Sequence, residues 1–229
     1  MMRCCFLLAI AAAAAASAQW TLQDSHTTAS LRGVHYTGHD IAWASGTNGT
    51  VIRTLDGGRT WRSCAIPPDA DKLDFRGVQA FDATTAVIMS SGTGALSRIY
   101  KTTDGCKTWK LLFTNPDAEG FWDALQFSTP DTGMLIGDPV NSRFAVFSTT
   151  DGGSTWRRRD ILADSKNQSI FAASNSSLLV DPKSGKFWFL TGGGRTTIFE
   201  GDTRAIPSWR SASPLEASPW LHGGKAPSC

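Results

Sequence analysis

A β-propeller, an all-β fold of four-stranded antiparallel blades, is what the 229-residue sequence predicts, on three observations. The first is composition. Gly reaches 22 and Trp nine, while charged residues fall to 18%, below the usual quarter or so. With 41% apolar residues the chain is not disordered, and this balance favours short strands joined by tight turns. The second is a recurring box: Thr54-Leu-Asp56-Gly-Gly58-Arg-Thr60-Trp61, Thr102-Thr-Asp104-Gly-Cys106-Lys-Thr108-Trp109 and Thr149-Thr-Asp151-Gly-Gly153-Ser-Thr155-Trp156. Its Asp residues stand 48 and 47 positions apart. Glu200-Gly-Asp202, with Trp209 beyond it, reads as a degraded fourth copy. The third is that the flanks repeat with the box, which makes the period structural.

Each unit carries four short strands in order. The first opens at Leu31-Arg-Gly-Val34, Phe75-Arg-Gly-Val78 and Phe121-Trp-Asp-Ala-Leu125. The second is an apolar run ending in a Gly turn: Ile41–Ala44 into Gly46, Ala86–Met89 into Gly92, Met134–Ile136 into Gly137, and Phe187–Leu190 into Gly192. The third runs into the box: Val51–Arg53, Arg98–Tyr100, Phe144–Phe147 and Thr197–Phe199. The fourth starts at the box Trp. A β-sandwich has no reason for such a sequence repeat, and a β-helix repeats at shorter intervals. The box itself suits a hairpin turn. Asp accepts bonds from turn amides, Gly permits positive φ, and Thr hydroxyls satisfy further backbone groups. Cys106 replaces the second Gly, so a left-handed requirement there predicts strain or rearrangement.

The ends read differently. Arg3, the apolar run Phe6–Ala16 and the small-residue site Ala16-Ser-Ala18 make residues 1–18 a secretory signal peptide, cleaved near Ala18-Gln19. The mature chain is expected to be exported, to the periplasm, a lumen or the medium. Trp20–Gln23 precedes Leu31 as Trp61 precedes Phe75, so residues 19–29 read as the outer strand of a closing blade. Blades follow at about 30–68, 69–116, 117–163 and 164–215, with an off-pattern tail at 216–229. An N-terminal outer strand asks for a closing unit that supplies the other three strands of its blade, and none follows the pattern after the fourth unit, so a truncated, incomplete ring with an open edge is expected.

The box resembles the Asp-box, or BNR, repeat of the WD40/YVTN-like propellers. Box and flanks are most similar to the photosystem II stability/assembly factor family: Leu31-Arg-Gly-Val34, Gly137-Asp-Pro-Val140 and Phe171-Ala-Ala-Ser-Asn175 carry that likeness over about residues 20–215. The resemblance implies a non-catalytic scaffold that binds a protein or peptide. It also implies that Asp56, Gly58, Thr60, Trp61, Asp104, Thr108, Trp109, Asp151, Gly153, Thr155 and Trp156 are structural turn residues away from the ligand face.

Other classes fit less well. A net charge of +2 argues against nucleic acid as the partner, and no stretch after the leader is apolar enough to insert stably in a membrane. His35 and His39 lack further ligands, so no metal site is expected. Thr191-Gly-Gly-Gly-Arg195 lacks the Lys-Ser/Thr of a phosphate loop, and no cofactor is expected. The Arg-Ile-Pro signature of sialidases is missing, which counts against that chemistry. A glycoside hydrolase or carbohydrate-binding propeller is the alternative reading, with Asp123 and Asp138 as the carboxylates to watch. For the binding reading, Arg32 and Arg76 take equivalent places in successive repeats and Asp123 takes the third. With Asp138 and Arg143 they form the expected polar rim; inter-blade ion pairs are the competing account of the same residues.

Overall fold

The computed structural model describes residues 20–162, 168–172, 175–193, 196–203 and 210–212. The leader, Trp209 and the tail therefore lie outside the described residues. Four antiparallel sheets are arranged as a four-bladed propeller, with a single three-residue 3-10 turn, Gly94–Leu96, as the only helical element described.

The first blade holds β1 (Leu31–Gly38), β2 (Ile41–Gly46), β3 (Val51–Thr54) and β4 (Arg62–Ser63). The second holds β5 (Phe75–Ala80), β6 (Ala86–Ser90), β7 (Arg98–Thr102) and β8 (Lys110–Thr114). The third holds β9 (Trp122–Phe127), β10 (Gly133–Val140), β11 (Arg143–Thr149) and β12 (Arg157–Leu162). In each, the strands pair in simple sequence order. Register repeats too: Ala42, Ala86 and Gly133 sit opposite Thr54, Thr102 and Thr149, the first residue of each box.

The fourth sheet departs from the pattern. Its inner edge is broken into β13 (Gln168–Ser169) and β14 (Leu178–Val180), which pair with opposite ends of β15 (Lys186–Gly193). β16 (Thr197–Asp202) and β17 (Arg210–Ala212) complete it. The segment from Phe171 to Asn175, where the sequence opens this unit, thus lies between the two inner pieces. A second departure is at Gly137. It was expected to end its strand, yet β10 continues to Val140, with a register shift between Gly137 and Pro139. The reversal falls at Asn141 and Ser142, both at positive φ (51° and 62°). Gly137 answers another need: a Cβ there would collide with the Phe121 carbonyl.

Residues 20–29 enter no ladder. Gln23 Oε1 instead accepts the Trp61 indole N–H at 3.0 Å. One blade on, the Ala65 carbonyl accepts from Trp109 at 2.9 Å. The N-terminal segment therefore occupies the station of a preceding outer strand without forming one.

Blades pack through alternating faces, as the two-residue strand period requires. Trp43 and Val51 of the first blade meet Phe75, Val78, Ile88 and Tyr100 of the second. Val87, Met89 and Ile99 of the second meet Trp122, Leu125, Phe127 and Phe147 of the third. Met134, Ile136 and Val146 of the third meet Leu178, Val180 and Phe189 of the fourth. Polar clamps add to this. Gln79 Nε2 donates to the Phe127 carbonyl at 2.8 Å while its Oε1 accepts the Phe127 N–H at 2.7 Å. Gln126, the register equivalent of Gln79, accepts the Val180 N–H at 2.8 Å. The disulfide Cys64–Cys106 joins the end of the first blade to the second box, across a Cα–Cα distance of 5.2 Å.

Candidate functional site

Antiparallel order sends the turns within each blade to two opposite ends. The first–second and third–fourth strand turns fall at one end, and the second–third turns and blade-to-blade links at the other. The boxes are third–fourth strand turns, so they share the first end. Their bonding is the same in three copies. Thr60 donates to Asp56 from its amide (2.9 Å) and its hydroxyl (2.7 Å), and the Thr54 hydroxyl donates at 2.8 Å. Asp104 and Asp151 repeat those contacts with Thr108 and Thr102, and with Thr155 and Thr149. The Thr108, Thr60 and Thr155 hydroxyls and amides hold all three carboxyls down to about 2. Each carboxylate is thus satisfied by its own turn.

The second glycine of the box does need a left-handed backbone. Gly58 and Gly153 have φ of 87° and 89°, and Cys106 is held at 59°. Its amide still donates to Thr102 Oγ1 at 3.0 Å, as Gly58 does to Thr54 at 2.9 Å. The Cys106 turn keeps its form, and its side chain is committed to Cys64. In the degraded fourth copy, Glu200 accepts from Lys186 Nζ (2.6 Å) and from the Trp188 indole (3.2 Å), and the rest of that copy lies outside the described residues.

The opposite mouth holds the polar cluster. Arg32 and Arg76 converge on one carboxylate, Asp74, with Nε–O distances of 3.4 and 2.9 Å. Asp74 ends the link between the first and second blades, which is why it meets the Arg that opens each of them. Arg76 also donates to the Ala172 carbonyl at 3.1 Å and lies 5.9 Å over the Phe121 ring. Asp123 opens β9 beside it and is 1% exposed. Burial, and then the neighbouring Asp138 charge, push its pKa up to about 9 against the pull of the Asp138 amide and Arg76. Asp138 is also raised by burial, while accepting the Ile170 N–H at 2.8 Å opposes that rise. Asp123 is therefore a neutral acid at pH 7. Arg143 opens β11 opposite Val140, at the exposed tip of the hairpin whose other strand carries Asp138. At the outer edge, Arg158 lies over Phe147 and pairs with Asp117, whereas Arg159 turns to Ser148 Oγ at 2.9 Å.

Between the blades runs a cavity of about 790 Å³ lined by His35, Gln79, Gln126, Asn175 and Leu179 among others. His35 Nδ1 has no hydrogen-bond partner, and burial lowers its pKa. Among the described residues no group of three or more His, Cys, Asp or Glu side chains is placed to hold a metal ion, and no described helix is long and apolar enough to cross a membrane.

Sequence reasoning missed Asp74, the Ala172 carbonyl and Asn175, whose Oδ1 accepts the Leu125 N–H at 3.0 Å. Asp74 carried no repeat signal. Gln79 and Gln126 did, since they hold the same register two blades running.

Boxes at one end, a closed set of carboxylate–arginine contacts at the other and an axial cavity define an Asp-box β-propeller. Within that class the chain resembles the assembly factors: residues 12–120 match the family model of the photosynthesis system II assembly factor YCF48. YCF48 from Cyanidioschyzon merolae superposes at a TM-score of 0.58 with 22% identity, covering 81% of this chain and 56% of that one. The GH74 xyloglucanase from Xanthomonas campestris superposes at 0.55 with 14% identity, covering 82% of this chain and 31% of its own. A YCF48 bound to a D1 peptide aligns more loosely, at 0.49 and 18% identity, over 82% and 69% of the two chains. At these identities what is shared is the fold. No curated protein matches the chain.

Proposed function

We propose that the chain is an exported, non-catalytic propeller that binds a protein or peptide partner through the mouth carrying Arg32, Arg76, Asp123, Asp138 and Arg143. The carrying observation is Asp74: it presents guanidinium groups from two successive blades side by side, both partly exposed. Such a pair can take a carboxylate or a row of backbone carbonyls from an extended segment. The match to an assembly-factor family over residues 12–120 supports a protein partner of the kind that family name describes. Export is supported by the leader pattern and by a disulfide, which persists in oxidising compartments. The experiment is capture from host extract on immobilised protein. Arg32→Ala with Arg76→Ala should abolish a specific partner while keeping a cooperative melt, at a lowered temperature because Asp74 loses its cations. Capture that is indifferent to both substitutions would refute the reading.

One observation favours a second reading. A protonated Asp123 beside Asp138 is the acid half of a glycosidase pair. Asp123 is nearly inaccessible, which ranks this reading below the first. Release of sugars from xyloglucan or a sialoside, lost in Asp123→Asn, would reverse the order.

A further inference from the structure

The blade junctions are clamped on the channel side by one repeated device, and the first junction carries a different residue in its place. Register makes His35, Gln79 and Gln126 equivalent, since they pair with Trp43, Val87 and Met134. Gln79 sets its amide as a fork on the N–H and carbonyl of Phe127 in the next blade. Gln126 accepts the Val180 N–H in the blade after that. The residue of the second blade that answers to Phe127 is Ala80, as their partners Gly133 and Ala86 show. His35 therefore stands where a clamp on Ala80 belongs. An imidazole has no such fork, and His35 Nδ1 is buried without a hydrogen-bond partner. The strands themselves are close here: a Cβ on Gly33 of β1 would lie 2.9 Å from the Arg76 carbonyl of β5. Arg32 and Arg76 stand three residues before His35 and Gln79 on these two strands, so the unclamped seam leads to the pair at the mouth.

The surroundings of His35 are unsuited to a cation. Among the described residues, Gln79, Gln126, Asn175, Ser177 and Leu179 line the cavity with it, and no charged side chain does. Trp43 lies across from it on β2, and Val78 and Ala80 of β5 belong to the same apolar cluster as Trp43. The charged residues of β1 and β5 are Arg32 and Arg76, with Asp74 between them at the mouth. Protonation adds a charge and a second N–H donor with no carboxylate to receive either. We propose that His35 makes the seam between the first two blades an acid-sensitive switch: its protonation loosens β1 from β5 on the channel side and spreads the Arg32–Arg76 pair. Cys64–Cys106 ties the same two blades covalently at the end of β4, so the movement is a hinge and not a separation. The consequence for partner binding rests on the function proposed above. Burial lowers the His35 pKa, so the opened state takes up the proton first. The seam is at full strength above the ordinary imidazole value of 6.5 and weakens as pH falls below it. Asp123 and Asp138, both raised by burial, respond in the opposite sense. The informative quantity is therefore the difference between wild type and His35→Gln.

The test is amide hydrogen exchange of the full chain between pH 7.5 and 5.5, corrected for the intrinsic exchange rate. Protection of β1 and β5 should fall in wild type by up to about tenfold per pH unit below 6.5, with β10 and β11 as the internal reference. His35→Gln supplies the missing fork and should abolish that fall. An acid response that is the same in both proteins, or that is shared equally by β10 and β11, overturns the proposal. Proton NMR of wild type gives a reading that does not depend on the variant. Of the four histidines, assigned by replacing His26, His39 and His222 in turn, His35 should titrate lowest. A His35 midpoint at or above 6.5 overturns the switch. Partner capture at the two pH values keeps the two readings apart. Capture that needs Arg32 and Arg76 but ignores pH overturns the switch alone. Acid-labile protection of β1 and β5 with capture indifferent to both Arg residues supports the switch and refutes the mouth.

Discussion

The bond between Cys64 and Cys106 should supply a measurable share of the stability of the first two blades. It closes a loop with a sequence separation of 42. In the chain-entropy account, a loop of that size restricts the unfolded chain by about 4 kcal/mol at 25 °C. Reduction has a second consequence, because Cys106 sits at φ 59°, where a Cβ is disfavoured. The left-handed conformation costs roughly 1 kcal/mol for a residue other than Gly. The bond holds Cys106 there, and reduction leaves the strain without the link. Wild type under dithiothreitol should therefore lose about 4 kcal/mol. Cys64→Ser with Cys106→Gly removes the link but restores the box glycine, and should lose only about 3 kcal/mol. The assay is urea unfolding followed by Trp fluorescence, in a Cys229→Ser background to prevent thiol exchange. A loss below about 1 kcal/mol on reduction would show that the first two blades do not unfold as a unit across this loop. A double variant no more stable than reduced wild type would refute the strain argument.

Three further outcomes are expected. Gln79→Leu leaves the buried Phe127 N–H and carbonyl without partners, and should cost about 2–4 kcal/mol in urea unfolding. Asp123 carries its proton in the fold up to about pH 9 but releases it near its ordinary value of 3.8 when unfolded. The folded state binds the extra proton between those values, so stability falls as pH rises, by at most about 1.4 kcal/mol per pH unit. Asp123→Asn should flatten that slope, and a slope unchanged in the variant would count against a protonated Asp123. Asp151→Ala removes the acceptor for Thr149, Thr155 and the Thr155 amide. It should lower the melting temperature without altering partner capture, because the box lies at the end away from the Arg cluster.

The parts of the fold that were legible in the sequence are those whose chemistry is local. A box satisfies its own carboxylate from residues within a few positions, so three near-identical sequences give three near-identical turns. The flanking strands follow, since their register is counted from the same Thr. The reading lost resolution where a partner is distant. Gly137 looked like a turn because glycines end the equivalent strands, yet it serves the close approach of the Phe121 carbonyl. The broken inner edge of the fourth blade carried no local mark, because its split depends on where β15 offers pairing positions. Cys64 and Cys106 lie in different blades, and it is the blade packing that brings them within bonding reach.

The site divides along the same line. Arg32 and Arg76 were visible as equivalent residues, and equivalence in a propeller places them at the same height around one axis. That placement does not say what they do. A guanidinium at this height can bind its neighbour or a visitor, and the balance rests on the residue between blades. Asp74 is a single carboxylate facing two cations. Asp123, beside the second cation, is itself pushed into its neutral form by burial and by Asp138. Arg32, Asp74 and Arg76 taken alone carry one more positive than negative charge, and Asp138, whose charge raises Asp123, stands beside them. The proposed function therefore rests on the two partly exposed guanidinium groups as hydrogen-bond donors to a carboxylate or a row of carbonyls, and not on a surplus of charge.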